Sequence, residues 1–311
     1  MNNIQPPTPL AVDSNRGLAM MLMVVSSVVI SFGGLIMRSM EAAVPWQINF
    51  HRSVALFGVV SILILLRYRG KFISTIKNIG ALGCLAGALL GIAGMAFLQA
   101  LTYTTVANTL FILGAIPFFA ALFARILLKE KLTGATLLTM LVAAAGLTVM
   151  VLEGIAIGSG AGNGFALLTA VMFALYAVIV RSKRQQDMLP TLLISSIFII
   201  IVSLIMQADD LLVSVRDLLL SFVWGGLLSG VANWLFIYAS RHLAAAEVTL
   251  FMLLEFALGP VWVWLVVNEQ PSRWTIIGGI LIILAVAVRA VVELIGESKP
   301  SHPSRTPGTP N

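Results

Sequence analysis

The stretch Ala244–Ser272, AAAEVTLFMLLEFALGPVWVWLVVNEQPS, sets one carboxylate, Glu255, among residues that belong in hydrocarbon. A helix over Val248–Val267 has about the 20 residues a bilayer crossing needs, and it puts Glu255 roughly 10 to 12 Å from its start, near the midplane. A charge at that depth is costly, so it must face a partner or a water-filled cavity. Two chemistries suit it: binding a substrate ammonium group or carrying a coupling proton. A purely structural hydrogen bond or ion pair that locks two helices is the third reading. Phe251, Gly259 and Trp262 follow at helical spacing and would give the same face an aromatic wall and a small gap. Trp262 could equally face lipid or a neighbouring helix.

The other polar residues within apolar runs are candidates for the same cavity. Arg52, next to His51, could receive a substrate carboxylate through its fork of donors or snorkel to the outer headgroups. Asn233, Trp234 and Tyr238 cluster on one later run and Gln99 on an earlier one. Ser31, with Ser27 and Gly34, and Tyr176, with Thr169 and Phe173, form two mildly polar faces. Serine and threonine can also satisfy themselves on backbone carbonyls. Asn108 and Glu247 begin apolar runs, where helix capping and the helix dipole account for them.

Enzyme readings fare poorly. The chain has no GxxxxGK, HExxH or GxSxG motif, so no catalytic residue, metal or cofactor is expected. Its single cysteine, Cys84, lies in an apolar run and supports neither a disulfide framework nor a metal cluster.

The elements that position these residues are membrane spans. Of 311 residues 59% are hydrophobic and 10% charged, too few polar groups to solvate a globular surface. Apolar runs at about 17–37, 47–66, 80–101, 107–128, 134–152, 164–180, 189–206, 218–239, 248–267 and 274–294 predict an all-α polytopic membrane protein of ten transmembrane helices. The first run is longer than the core of a cleavable signal and lacks a basic segment ahead of it. Residues 1–16 and 296–311 read as disordered tails.

The net charge of +6 does not indicate nucleic acid, because the basic residues sit in short loops between spans. Only Arg38, Arg52, Arg216 and Arg273 fall on one side of a ten-span topology, against fifteen of the 19 lysines and arginines on the other. The positive-inside rule then puts both termini in the cytoplasm. Trp46, Trp224 and Trp274 fall toward the outer ends, where an aromatic belt is expected.

The chain also repeats itself. A shift of 139 residues aligns Gly87, Gly91, Phe97, Ala100, Glu130 and Thr136 with Gly226, Gly230, Phe236, Ala239, Glu269 and Thr275. IMRS at Ile36–Ser39 matches IVRS at Ile179–Ser182. Two halves result, 17–152 and 164–295, joined by an outer linker at 153–163. Five spans is an odd number, so the second half enters the membrane in the opposite sense. Inverted repeats of this kind build many alternating-access transporters, with binding near the midplane between halves. The glycines read as seams for close helix packing, and Glu130 and Glu269, ending helices in LLKEKL and VVNEQP, suggest paired bonds to loop amides of neighbouring spans.

PWQINFHRSVALFGVV at Pro45–Val60, PFFAALFARILLKEKLT at Pro117–Thr133 and LEFALGPVWVWLVVNEQPS at Leu254–Ser272 resemble the drug/metabolite transporter superfamily, specifically its EamA-type ten-helix members. Within that group the chain is most similar to amino-acid exporters of the YddG type. The resemblance implies a bacterial inner-membrane transporter with a small-molecule substrate, broad amino acids including aromatic and hydrophobic ones. It also implies a central cavity lined by the first, third, fourth, sixth, eighth and ninth spans. The family commonly has a proline directly after the ninth-span glutamate, whereas Phe256 stands here and Pro260 follows one turn later. A proton-coupled multidrug or other metabolite exporter of the same superfamily is the competing expectation, although small four-helix relatives carry a glutamate in the first span and this chain has none there.

Overall fold

The structure is a computed structural model that describes residues 14–68, 74, 77–129, 134–156, 158–183, 186–208, 210–239 and 245–297. The described residues form helices and connections, with no strand among them. Ten spans run through 14–38, Pro45–Tyr68, Gly80–Tyr103, 106–127, Gly134–Ala156, Gly160–Ser182, Pro190–Met206, 215–239, Ala245–Val267 and Arg273–Glu297. Six contain apolar helices long enough to cross a membrane, and the other four carry the shorter apolar stretches Met140–Glu153, Pro190–Met206, Leu254–Val267 and Arg273–Ala285.

Three spans are irregular. The first breaks at Phe32, between Ser31 and Gly33. The fourth breaks at Gly114–Ala115, just before Pro117, whose ring nitrogen has no proton for the preceding turn. In the eighth, Val223–Val231 winds as a π-helix. The ninth stays continuous through Pro260.

Contacts between spans obey a two-fold exchange of the halves. The first span packs on the eighth as the sixth does on the third, and the first on the ninth as the sixth does on the fourth. The second meets the seventh, the fourth the ninth, and the fifth the tenth, each pair mapping onto itself. The duplicated glycines make the equivalent contact in each half. Gly87 and Gly91 lie against Ile194 and Phe198 of the seventh span, and Gly226 and Gly230 against Val59 of the second. A side chain at any of the four would press on those neighbours, so the seam reading of these glycines fits the packing. Lys129 and Asn268, also 139 positions apart, both turn left-handed at φ 57°, directly ahead of the paired glutamates. Two non-glycine residues sharing a conformation that costs about 1 kcal/mol or more point to one turn geometry required twice.

The ends of the first, third and ninth spans are bolted together. Arg38 Nε donates to Glu269 Oε2 at 2.6 Å, its Nη2 to the Thr104 carbonyl at 2.8 Å, and Glu269 Oε1 accepts the Val106 N–H at 2.6 Å. Glu269 thus bonds to a neighbouring loop amide as its sequence suggests, while Glu130 lies outside the described residues. At the same end Asp217, fully buried, accepts the backbone N–H groups of Glu41, Ala42 and Ala43 at 2.9, 3.1 and 3.0 Å. Gln47 donates to the carbonyls of Asp210 and Leu212, and His51 meets that of Leu211 at 2.8 Å. Together these close the loops over this end of the bundle.

Asp217→Ala removes the acceptor of three backbone donors, a loss of about 3 kcal/mol or more. The variant is expected to melt several degrees below wild type in detergent, with Asp217→Asn in between. Equal melting temperatures would show that the cap is dispensable.

Candidate functional site

Below the bolted end lies a central cavity of about 190 Å³, measured as room for the centres of water-sized molecules. The first, third, fourth, sixth, eighth and ninth spans line it, and the second contributes Arg52. The lining runs from Gly34, about a turn below the bolted end, down to Phe236, one turn from the far end of the eighth span. Its walls are largely apolar and aromatic, with Phe97, Phe173, Trp224, Phe236 and Phe256 among them.

Arg52 stands two turns inside the second span, where its neighbours decide its direction. The Gly225 backbone packs on the Arg52 carbonyl so tightly that a side chain could not fit there. The wide π-turn and this glycine bring the eighth span close and slide Trp224 beneath the guanidinium, 4.9 Å from its centre. Arg52 also donates to Asn49 Oδ1 at 3.3 Å and to the Gly94 carbonyl at 3.2 Å. It is 9% exposed and points into the protein, so the headgroup-snorkelling reading does not hold. Trp224 is likewise not part of an aromatic belt but 2% exposed, and its indole fills the space left by Gly33. Trp274, by contrast, is 58% exposed at the start of the tenth span.

Glu255 lines the same cavity. Among the described residues neither Glu255 nor Arg52 forms an ion pair, and Glu255 has no hydrogen-bond partner. They are the two charged residues of the lining, opposite in sign and contributed by different halves. Of the other candidates, Asn233, Tyr176 and Ser31 also line the cavity. Asn233 Nδ2 donates to the Ser229 carbonyl at 2.7 Å. Ser31 donates to the Val28 carbonyl at 2.7 Å and accepts the Trp262 indole N–H at 2.9 Å. Trp262 stacks on Phe32 at 4.9 Å and so secures the ninth span to the break in the first, behind the cavity wall. Gly259 offers no gap, since Leu110 and the Ser31 carbonyl occupy its surroundings.

Three candidates lie elsewhere. Gln99 borders a separate lateral pocket with Trp46, Tyr103 and Phe165. Trp234 is 39% exposed, and Tyr238, half-buried, is not in the cavity lining. In the eighth span an α-helical spacing would put Gly226, Gly230 and Asn233 on one face; the π-turn breaks that spacing, and the glycines meet the second span while Asn233 meets the cavity. Asn108 is not a cap either. Thr105 caps the fourth span through the Asn108 N–H at 3.1 Å, and the Asn108 side chain bonds Thr104 and Asn163. The side chain of Glu247 lies outside the described residues. Trp224, which the sequence suggests as a belt residue, is instead a wall residue, because its place depends on Arg52 and Gly33, both distant in the chain.

One solved crystal structure, 20% identical, covers 89% of this chain and 98% of its own with a TM-score of 0.63, which shows a shared fold. No curated protein matches the chain significantly. The EamA-like transporter family matches twice, over residues 17–152 and 160–290, once for each five-span half. With both halves matched and the ten-span inverted architecture in place, the chain belongs to the EamA-like transporter family, membrane transporters of the drug/metabolite superfamily.

Proposed function

We propose that this transporter exports amino acids, aromatic and hydrophobic ones included, across a bacterial inner membrane by alternating access. The observation that carries the reading is that one apolar cavity is lined by an arginine and a glutamate that form no ion pair, Arg52 and Glu255. A zwitterion presents the complementary pair, carboxylate to the guanidinium and ammonium to the glutamate, and the aromatic walls accept an apolar side chain. The likeness to YddG-type exporters rests on the three sequence motifs. The cavity extends away from the bolted Arg38 end, which suits loading from the side where both termini lie. With the lysine and arginine bias, that side is the cytoplasm. A second reading, proton-coupled export of other small metabolites, draws on Glu255 having no partner among the described residues, a state suited to exchanging protons.

Uptake of a labelled amino-acid panel into liposomes tests both readings. Wild type is expected to move phenylalanine and its apolar relatives, and Arg52→Gln to lose at least about tenfold, the value of one charge-assisted bond. Flux that follows an imposed proton gradient in wild type but not in Glu255→Gln assigns coupling to Glu255. If no amino acid moves in either direction, the substrate assignment fails.

The orientation has its own test. In a Cys84→Ala background, a cysteine at Gln270, an exposed residue at the bolted end, should react with an impermeant maleimide in intact cells. One at Ser301 should react only after permeabilisation. The reverse pattern would invert the topology.

A further inference from the structure

Gln99 is 7% exposed, borders the lateral pocket, and has no hydrogen-bond partner for its carboxamide among the described residues. A buried amide without a partner forfeits the bonds it made in water, and inside a bilayer no solvent restores them. The pocket itself is apolar, with Ile92, Ala96 and Leu168 around the amide. One wall is the Tyr103–Phe165 stack, centroids 6.0 Å apart, which joins the third span of the first half to the sixth span of the second. It opens on the outer surface of the bundle, where Tyr103 is 54% exposed. Gln99 lies one turn below Tyr103, which ends the third span, so it sits roughly 6 Å inside the helix end. Trp46 and Tyr103 flank it at the level where amphipathic rings meet headgroups.

That depth selects the ligand. The acceptors of a bilayer closest below its headgroups are the ester carbonyls of its glycerophospholipids, with acyl chains directly beneath. We propose that this pocket is a binding site for one glycerophospholipid of the leaflet at the Arg38 end. An ester carbonyl accepts from the Gln99 amide, and the adjoining chain lies against Ile92, Ala96 and Leu168, bridging the two halves. This site is separate from the central cavity and does not depend on what that cavity transports.

Native mass spectrometry of the full-length protein in mild detergent, with added phosphatidylethanolamine or phosphatidylglycerol, tests it. Wild type should retain one lipid through washing, and so should Leu141→Phe, a change at a residue 69% exposed on the fifth span. Ala96→Phe, which fills the pocket, should lose it. Gln99→Leu keeps the size of the side chain and should bind at least about fivefold more weakly, the equivalent of one lost hydrogen bond. Melting separates a binding role from a structural one. In lipid-free detergent Gln99→Leu should melt no lower than wild type, but it should gain less from added lipid. Equal lipid retention by wild type, Ala96→Phe and Gln99→Leu would overturn the proposal. So would a Gln99→Leu variant that gains as much from lipid as wild type. If Ala96→Phe does not fold, the Gln99→Leu comparison decides alone.

Discussion

A membrane interior tolerates a charge only where something answers it, and this bundle lines one cavity with two ionisable residues of opposite type, Arg52 and Glu255, that do not pair with each other. Arg52 is answered by neutral groups, the Trp224 ring and two oxygen acceptors, while Glu255 has no partner among the described residues. Much of the surrounding packing serves that separation. The π-turn of the eighth span and Gly225 hold Trp224 under the guanidinium. Ser31 and Trp262 secure the ninth span, and with it Glu255, to the break in the first.

The two ends of the bundle differ although the two halves match. Arg38, Glu269 and Asp217 fasten four loop regions at one end with charge-assisted bonds, and the cavity reaches in the opposite direction. In an inverted repeat, equivalent segments face opposite sides, so a conformation closed on one side necessarily breaks the symmetry. The left-handed turns at Lys129 and Asn268 show that the local geometry before both glutamates is nevertheless the same. Under the alternating access proposed above, the Arg38–Glu269 cluster would have to part, and with it the hydrogen bonds to Thr104 and Val106.

The ten spans and the duplication are legible in the sequence because both are one-dimensional: apolar runs of bilayer length, and a constant offset between Gly87 and Gly226 or Glu130 and Glu269. The interruption at Phe32 and the π-turn are not, since no proline or other local breaker marks either of them, whereas the break at Gly114–Ala115 has Pro117 beside it. The site shows the same division. Ser31, Tyr176, Asn233 and Glu255 announce themselves as polar groups on helical faces. The direction of Arg52 could not be read, because two of its inward partners, the Gly94 carbonyl and the Trp224 ring, lie 42 and 172 positions later in the chain. Gln99 shows the opposite limit: a polar residue in a span marks a cavity correctly, but hydropathy alone does not say which one.

The central claim is that the cavity recognises both ends of a zwitterion. Equilibrium binding of phenylalanine, phenethylamine and 3-phenylpropionate to the purified protein tests it most directly, because the three ligands share one ring and differ only in their charges. Each truncated ligand should bind at least about tenfold more weakly than phenylalanine. Arg52→Gln should erase the advantage over phenethylamine, and Glu255→Gln the advantage over 3-phenylpropionate. Equal affinity for phenylalanine and phenethylamine in the wild type would contradict a carboxylate site at Arg52, and with it the amino-acid reading of the cavity.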